Sequence, residues 1–185
     1  MVASRISISV LACAIGLGGA VAGPIEDTMF AAFEAICIWP INKPDEIGGK
    51  LQDIGAMPLD EQTARPMFLN QQPGRAWLIR DKNARLLVTL TDDGVCSVFG
   101  PDASGKTVEN LVGLHLRTNK LPADKVGAEV ASTFAVTYPD PSGGDDLHLV
   151  VRAQYSDLTS TPGAALVAIP ERLLAKELSR LPPWP

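Results

Sequence analysis

Apolar residues recur at two spacings along this chain, and these spacings predict where helices and strands lie. Ile25, Met29, Phe33 and Ile36 are three or four residues apart, which is the repeat of an amphipathic helix. Short runs of apolar and β-branched residues between turn residues are typical of strands. By these criteria we expect helices over 24–36, 44–54, 107–116 and 170–181, and strands over 76–80, 85–91, 95–99, 129–138, 147–155 and 164–169.

The residues between these segments predict how the strands are connected. The step Asp93-Gly94 favours a tight hairpin between the strands 85–91 and 95–99. Residues 56–74 contain several prolines and no clear repeat, so we expect irregular structure there. No internal repeat or linker divides the chain. The pattern therefore predicts a single α+β domain over 23–185, with a largely antiparallel sheet and flanking helices.

The first 22 residues have the three parts of a cleavable signal peptide. Arg5 supplies the positive charge, Ile6–Val21 is apolar or small, and Ala20-Val21-Ala22 fits the small-x-small cleavage site. We expect cleavage before Gly23 and release into the oxidising bacterial periplasm. The alternative is a lipoprotein acylated at Cys13, but the apolar run before this cysteine is only about half the length that a signal peptide needs.

Removal of this leader makes the chain slightly more acidic. The chain has 16 basic and 21 acidic residues, and only Arg5 falls in the leader, so the mature net charge is 15 − 21 = −6. An acidic chain without a basic cluster is a poor candidate for binding nucleic acid or anionic lipid. Its aliphatic content excludes a disordered protein. We expect no stable membrane span in the mature form.

Cleavage also leaves only two of the three cysteines, Cys37 and Cys96. Two cysteines and no others in an exported domain favour one disulfide, and two unpaired buried thiols are the alternative. A bond closing a loop of this length would stabilise the fold by roughly 3–4 kcal/mol in the chain-entropy model. The spacing is not the Cys-x-x-Cys of a redox-active pair.

Residues 100–107, Gly-Pro-Asp-Ala-Ser-Gly-Lys-Thr, match the Walker A pattern G-x-x-x-x-G-K-[ST] in full. In that pattern the backbone around Gly100 and Gly105 would hold phosphate. Lys106 would reach the β- and γ-phosphates, and the Thr107 hydroxyl would hold Mg²⁺. The predicted strand before the segment and the predicted helix after it agree with this interpretation.

Three observations weigh against nucleotide hydrolysis by this segment. The periplasm lacks ATP and GTP, the preceding strand belongs to an antiparallel hairpin, and no Walker B aspartate follows. We expect a turn and a helix start capped near Ser104 or Thr107. The alternative is simple anion binding without catalysis, because a helix N-terminus attracts phosphate, sulfate or carboxylate. Its candidate residues are Gly100, Gly105, Lys106 and Thr107.

Other candidate catalytic or metal-binding groups are sparse. His115 and His148 are the only histidines, and neither a G-x-S-x-G elbow nor a zinc-ligand spacing accompanies them. The acidic loop with Asp140, Asp145 and Asp146 lacks the ligand pattern of a calcium loop. We therefore expect no metal and no cofactor.

The tryptophans suggest packing positions more than chemistry. We expect Trp39 and Trp77 in the core or against the disulfide. Trp184 lies between prolines near the C-terminus, where it would belong to a docked or frayed tail, or would serve as an exposed contact point for a partner.

The chain resembles a group of small, uncharacterised exported proteins of proteobacteria. The resemblance covers roughly residues 28–155 and rests on Phe33 followed by Cys37, on Phe68-Leu69 ahead of Gly74-Arg75-Ala76-Trp77, and on Gly94-Val95-Cys96. It implies export, a Cys37–Cys96 disulfide and an α+β fold. It implies no activity and assigns no functional residues.

The sequence therefore favours a non-enzymatic periplasmic protein that binds another protein or an envelope component, with an inhibitor or immunity role as one variant. The first alternative is a phosphate- or nucleotide-binding protein that uses Gly100–Thr107. A hydrolase that uses His148 is a third hypothesis.

Overall fold

The computed structural model describes residues 23–40, 43–80, 82, 84–126, 131–138, 147–155 and 163–173. These residues form four α-helices and one sheet of eight strands. The helices are α1 (Pro24–Phe33), α2 (Pro44–Asp53), α3 (Glu61–Phe68) and α4 (Gly105–Thr118). The strands are β1 (Met57–Pro58), β2 (Gly74–Arg80), β3 (Arg85–Thr91), β4 (Cys96–Gly100), β5 (Ala123–Val126), β6 (Ala131–Tyr138), β7 (Leu147–Tyr155) and β8 (Ala164–Pro170).

The sheet consists of two four-stranded halves joined at its centre. Its strand order is β1-β2-β3-β4-β8-β7-β6-β5, and every neighbouring pair is antiparallel. After β4 the chain crosses through α4 to β5 at the far edge, then returns strand by strand until β8 pairs with β4. The predicted α+β fold with a largely antiparallel sheet is confirmed.

The hairpin between β3 and β4 forms where the Asp-Gly step predicts it. Gly94 has φ +100°, a conformation that favours glycine, and its N–H donates to the Thr91 carbonyl. The Thr91 hydroxyl also accepts from the Val95 N–H at 2.9 Å. This tight turn sets the register in which Leu90 lies opposite Cys96.

One face of the sheet is closed by α1, α2 and α4. Helix α1 packs against β4 and α4, and α4 packs against β7 and β8. Alternate strand residues point to this face, and the core there includes the fully buried Phe33, Val98 and Leu166. Beyond Phe33, α1 continues into a π-helical turn, Glu34–Ile38, whose last three residues are all buried.

The other face is covered in part. Helix α3 packs against β2, where Ala64 and Ala76 form a small cluster with Leu69. A separate small apolar cluster lies on β7 and β8. Leu173, in the 3₁₀ turn Glu171–Leu173, packs against it.

Several predicted elements need correction. Residues 56–74 are not all irregular, because Asp60 caps a real helix, α3, and β1 precedes it. Strand β5 was also not predicted. Strands β3 and β7 have the predicted bounds, and the other predicted bounds within the described residues differ by at most three residues. The predicted leader and most of the predicted helix 170–181 lie outside the described residues.

Candidate functional site

The Walker-like segment lies where β4 ends and α4 begins. Gly100 is the last residue of β4, and Ser104 is the N-cap of α4, whose side chain accepts from the Thr107 N–H at 3.4 Å. The predicted capping near Ser104 is confirmed. The strand before the loop pairs antiparallel on both sides, with β3 and with β8. This is not the parallel sheet on which P-loop folds are built.

A carboxylate of the same chain occupies the donor end of this loop. The Ser104 N–H donates to Glu26 Oε1 at 2.7 Å, and only 8% of Glu26 is exposed. Glu26 lies in the first turn of α1, so its negative charge meets the N-terminal ends of two helices. An incoming phosphate would have to displace this buried carboxylate.

Gly100 lies in close packing contact with α1 and with the turn that follows β4. A Cβ atom at Gly100 would lie 3.1 Å from both Ala103 Cβ and Met29 Sδ. Lys106 pairs along its own helix with Glu109, with Nζ and Oε2 2.9 Å apart. Gly105 is buried at the start of α4. An anion at this loop would therefore compete with the Glu26 carboxylate. Anion binding there stays an alternative hypothesis.

The predicted disulfide between Cys37 and Cys96 is confirmed. It joins the π-helical turn after α1 to the start of β4, with the two Cα atoms 5.4 Å apart and both residues fully buried. The bond therefore lies inside the helix-covered core, where it holds α1 onto the central strands.

A second contact links α1 and α4 at their C-terminal ends. His115 Nδ1 lies 3.2 Å from Glu34 Oε1 and also 3.2 Å from Asn119 Nδ2. The nitrogen can donate to the carboxylate or accept from the amide, but it cannot do both. His115 Nε2 is buried without a hydrogen-bond partner. Since the free ring nitrogen is closed to solvent, this histidine suits helix packing better than catalysis.

Aromatic rings surround this contact. The rings of Phe30 and Tyr138 lie 5.1 and 6.4 Å from that of His115. Burial, together with the charge of Glu34, raises the pKa of Tyr138 well above its usual range. The Trp39 ring lies edge-on to that of Tyr138 and is 46% exposed, so the first of its two expected positions, in the core, is wrong. Trp77 is buried as expected.

His148 lies on the opposite face of the sheet. Its Nδ1 is 3.3 Å from Thr137 Oγ1, beside a cavity of about 250 Å³ that Asp124 and Glu171 also line. No hydrogen bond or ion pair joins the ring to either of these two carboxylates. A hydrolytic triad needs an orienting carboxylate on the imidazole, so the described geometry gives the hydrolase hypothesis no support.

A set of partly exposed apolar side chains lies at α3 and on the strands next to it. A groove of about 430 Å³ runs between this helix and the uncovered face of β2, β3 and β4. Phe68 at the end of α3 is 37% exposed, and neighbouring Met67 is 67% exposed. The apolar residues that line the groove are Leu59, Phe68, Leu78, Leu86, Leu87, Phe99 and Pro101.

Polar groups border the same groove at one end. Arg80 and Arg85 lie directly opposite each other where β2 and β3 begin their turn, and both line the groove. Thr63 lines it from α3, where its N–H and hydroxyl both donate to Asp60 at 2.9 Å. These hydrogen bonds lower the pKa of Asp60.

The groove was missed in the sequence because it depends on α3. One short sequence signal could have indicated α3. Asp60 is suited to N-capping and lies three residues before Thr63, whose N–H it accepts.

Three other candidates from the sequence, Asp140, Asp145 and Asp146, lie outside the described residues, as does Trp184. Within the described residues no group of three His, Cys, Asp or Glu side chains could hold a metal ion.

Comparisons of the chain with protein-family models, curated proteins and solved structures gave no match. In the part of the chain that the structure describes, no helix has both the length and the apolar character needed to cross a membrane.

Proposed function

We propose that this is an exported, non-enzymatic binding protein of the bacterial cell envelope, and that it recognises an apolar segment of another protein in the groove under α3. The observation that carries the proposal is the exposure of Phe68 and Met67 beside a groove lined by apolar side chains.

Two features support the envelope location. The signal-peptide pattern of residues 1–22 would deliver the chain to an oxidising compartment. The disulfide between Cys37 and Cys96 is of the kind that persists in such compartments and is rare in the cytosol.

The character of the groove supports a protein as its ligand. Small-molecule sites enclose most of their ligand, whereas Phe68, Leu87 and Phe99 are themselves partly exposed and would leave one side of a ligand in water. A polypeptide tolerates this, because its backbone is polar on the solvent side. Methionines such as Met57 and Met67, both exposed beside the groove, adapt to varied apolar partners.

The proposal is tested by photo-crosslinking in the cells that make the protein. A photoreactive residue replaces Met67 at the groove, and in a matched control it replaces Leu114, which is 55% exposed on α4 at the helix-covered side. We expect discrete protein adducts from position 67 that are absent from position 114. Phe68→Asp in the same chain should abolish them.

Two checks make the result decisive. Circular dichroism should show that Phe68→Asp leaves the thermal transition within a few degrees of the unsubstituted protein, because the side chain is already partly in water. Equal adducts from positions 67 and 114, or none from position 67, would overturn the proposal.

A further inference from the structure

Two arginines lie directly opposite each other at one end of the groove. Arg80 of β2 pairs in register with Arg85 of β3, and both border the groove that Leu87 and Phe99 line. Like charges directly opposite each other in an antiparallel pair repel and destabilise the sheet. The chain has more acidic than basic residues, 21 against 16, so this local pair runs against its overall charge.

Only one of the two arginines has a carboxylate partner among the described residues. Arg85 Nη2 lies 2.9 Å from Asp102 Oδ2, which comes from the turn between β4 and α4. Both side chains of this pair are about half exposed or more, so the pair stays accessible to solvent. No ion pair joins Arg80 to any residue that the structure describes. Among the described residues, Asp102 therefore offsets one of the two arginine charges at this end of the groove.

The guanidinium group binds carboxylates through two parallel hydrogen bonds, and it does so best when the other side of the ligand is apolar and excludes water. The apolar side chains Leu78, Leu87 and Phe99 lie side by side across β2, β3 and β4. This row lies two residues along the strands from the two arginines, on the same face of the sheet. A ligand that fits both features has apolar side chains next to a carboxylate.

We infer that the groove recognises a carboxylate of the partner polypeptide, held by Arg80 and Arg85, while adjacent apolar side chains of that partner lie against Leu87 and Phe99. This inference rests on the proposed function and adds the chemistry of the bound segment. The carboxylate comes from an acidic side chain or from a chain terminus. Asp102 holds Arg85 until the partner carboxylate replaces it.

Selection from a displayed library of random 12-residue peptides tests the inference. The bait is the processed protein, compared with Phe68→Asp, with the double substitution Arg80→Gln and Arg85→Gln, and with Arg75→Gln. Arg75 is the matched control, because it lies on β2 but stacks over Trp77 on the other face. We expect peptides that combine apolar residues with Asp, Glu or a free C-terminus, enriched by the unsubstituted protein and by Arg75→Gln.

Fluorescence anisotropy with the most enriched peptide gives the magnitude. Arg80→Gln with Arg85→Gln should weaken binding at least about tenfold, as expected for lost hydrogen bonds to a charged group. The same loss should follow when the peptide carboxylate is converted to an amide, first at the C-terminus and then at each acidic side chain. Asp102→Asn should strengthen binding about threefold, because it removes the internal competitor.

The outcomes separate the two proposals. Peptides that need Phe68 but bind the double arginine variant equally well would overturn the carboxylate inference and leave the protein-binding function standing. If no peptide set depends on Phe68, both fail. Saturable binding of laurate that excludes every selected peptide would identify the groove as a lipid site and overturn the inference as well.

Discussion

The two faces of the sheet differ in how completely they are covered. On the face under α1 and α4, Phe33 is 1% exposed. The disulfide ties the helices to the sheet, and the Glu26–Ser104 hydrogen bond and the Glu34–His115 contact join α1 to α4. On the other face, α3 covers one end only and leaves Phe68 37% exposed beside an open groove.

This difference indicates a division of roles between the faces. Buried apolar area and cross-links determine the free energy of unfolding, and most of both lie on the helix-covered face. Half-exposed apolar side chains contribute little to folding but can be buried by a partner. Substitutions on the two faces should therefore separate stability from binding.

The sharpest test replaces a phenylalanine by alanine on each face in turn and compares the two losses of stability. Phe33→Ala should lower the free energy of unfolding by about 3–5 kcal/mol, because it opens a cavity in the closed core. Phe68→Ala should lower it by only about 1–2 kcal/mol, because its ring is already partly hydrated and no closed cavity forms. Urea denaturation of both variants measures the difference. Equal losses would show that the groove side is as tightly packed as the core.

Removal of the disulfide should have the next largest effect. Cys37→Ala with Cys96→Ala should lower the free energy of unfolding by about 3–4 kcal/mol, since the bond spans 59 residues and restricts the unfolded chain. Chemical reduction of the unsubstituted protein is the matched measurement. Binding through the groove should persist wherever the double variant is still folded, because the bond lies on the other face. A loss of binding in folded protein would contradict the division of roles.

Glu26→Ala should have an intermediate effect. It leaves the Ser104 N–H without its carboxylate, which costs about 1–3 kcal/mol if the site stays closed to water. Glu26→Gln keeps an acceptor oxygen and should lose less. Thermal unfolding with and without formate or phosphate extends the test, because a small anion should raise the melting temperature of Glu26→Ala by taking the place of the carboxylate.

In the unsubstituted protein we expect no anion binding at the Walker-like loop, and this protein is the control for the Glu26→Ala variant. Calorimetry with phosphate, Mg-ATP and Mg-GTP should give no binding heat, because Glu26 already fills the donor end of the loop. Binding that disappears in Lys106→Ala would instead favour the phosphate- or nucleotide-binding alternative, and would show that Glu26 moves aside.

The sequence patterns predict local structure well where apolar spacing and turn chemistry agree. The helix with Met29 and Phe33, the hairpin at Gly94 and the cap at Ser104 all follow from residues within a few positions of each other. The disulfide could be predicted because only Cys37 and Cys96 follow the predicted leader.

Contacts between distant parts of the chain could not be predicted in this way. Glu26 and Ser104 are 78 residues apart, and Glu26 alone suggests only a favourable charge at the start of α1. The pairing of β4 with β8 has no local signal either. The groove combines both difficulties, because it needs that sheet and also α3, an eight-residue helix that contains Pro66.

The smallest expected effect is local to α3. Asp60→Ala removes the acceptor for the Thr63 N–H and hydroxyl, while Asp60→Asn keeps one side-chain oxygen as a cap. We expect faster amide hydrogen exchange in Glu61–Phe68 for Asp60→Ala, and near-normal exchange for Asp60→Asn. Amides of β7 and β8 serve as the internal control and should not change.

The same cap gives α3 a dependence on pH. The pKa of Asp60 is lowered in the folded protein, so its stabilising effect is complete above the usual carboxyl value of 3.8 and is lost as the pH falls through the folded value. After correction for the intrinsic exchange rate at each pH, the protection of the α3 amides in the unsubstituted protein should therefore fall in that acidic range, and Asp60→Ala should abolish this pH dependence. The same fall in protection in Asp60→Ala would mean that another group controls the stability of α3.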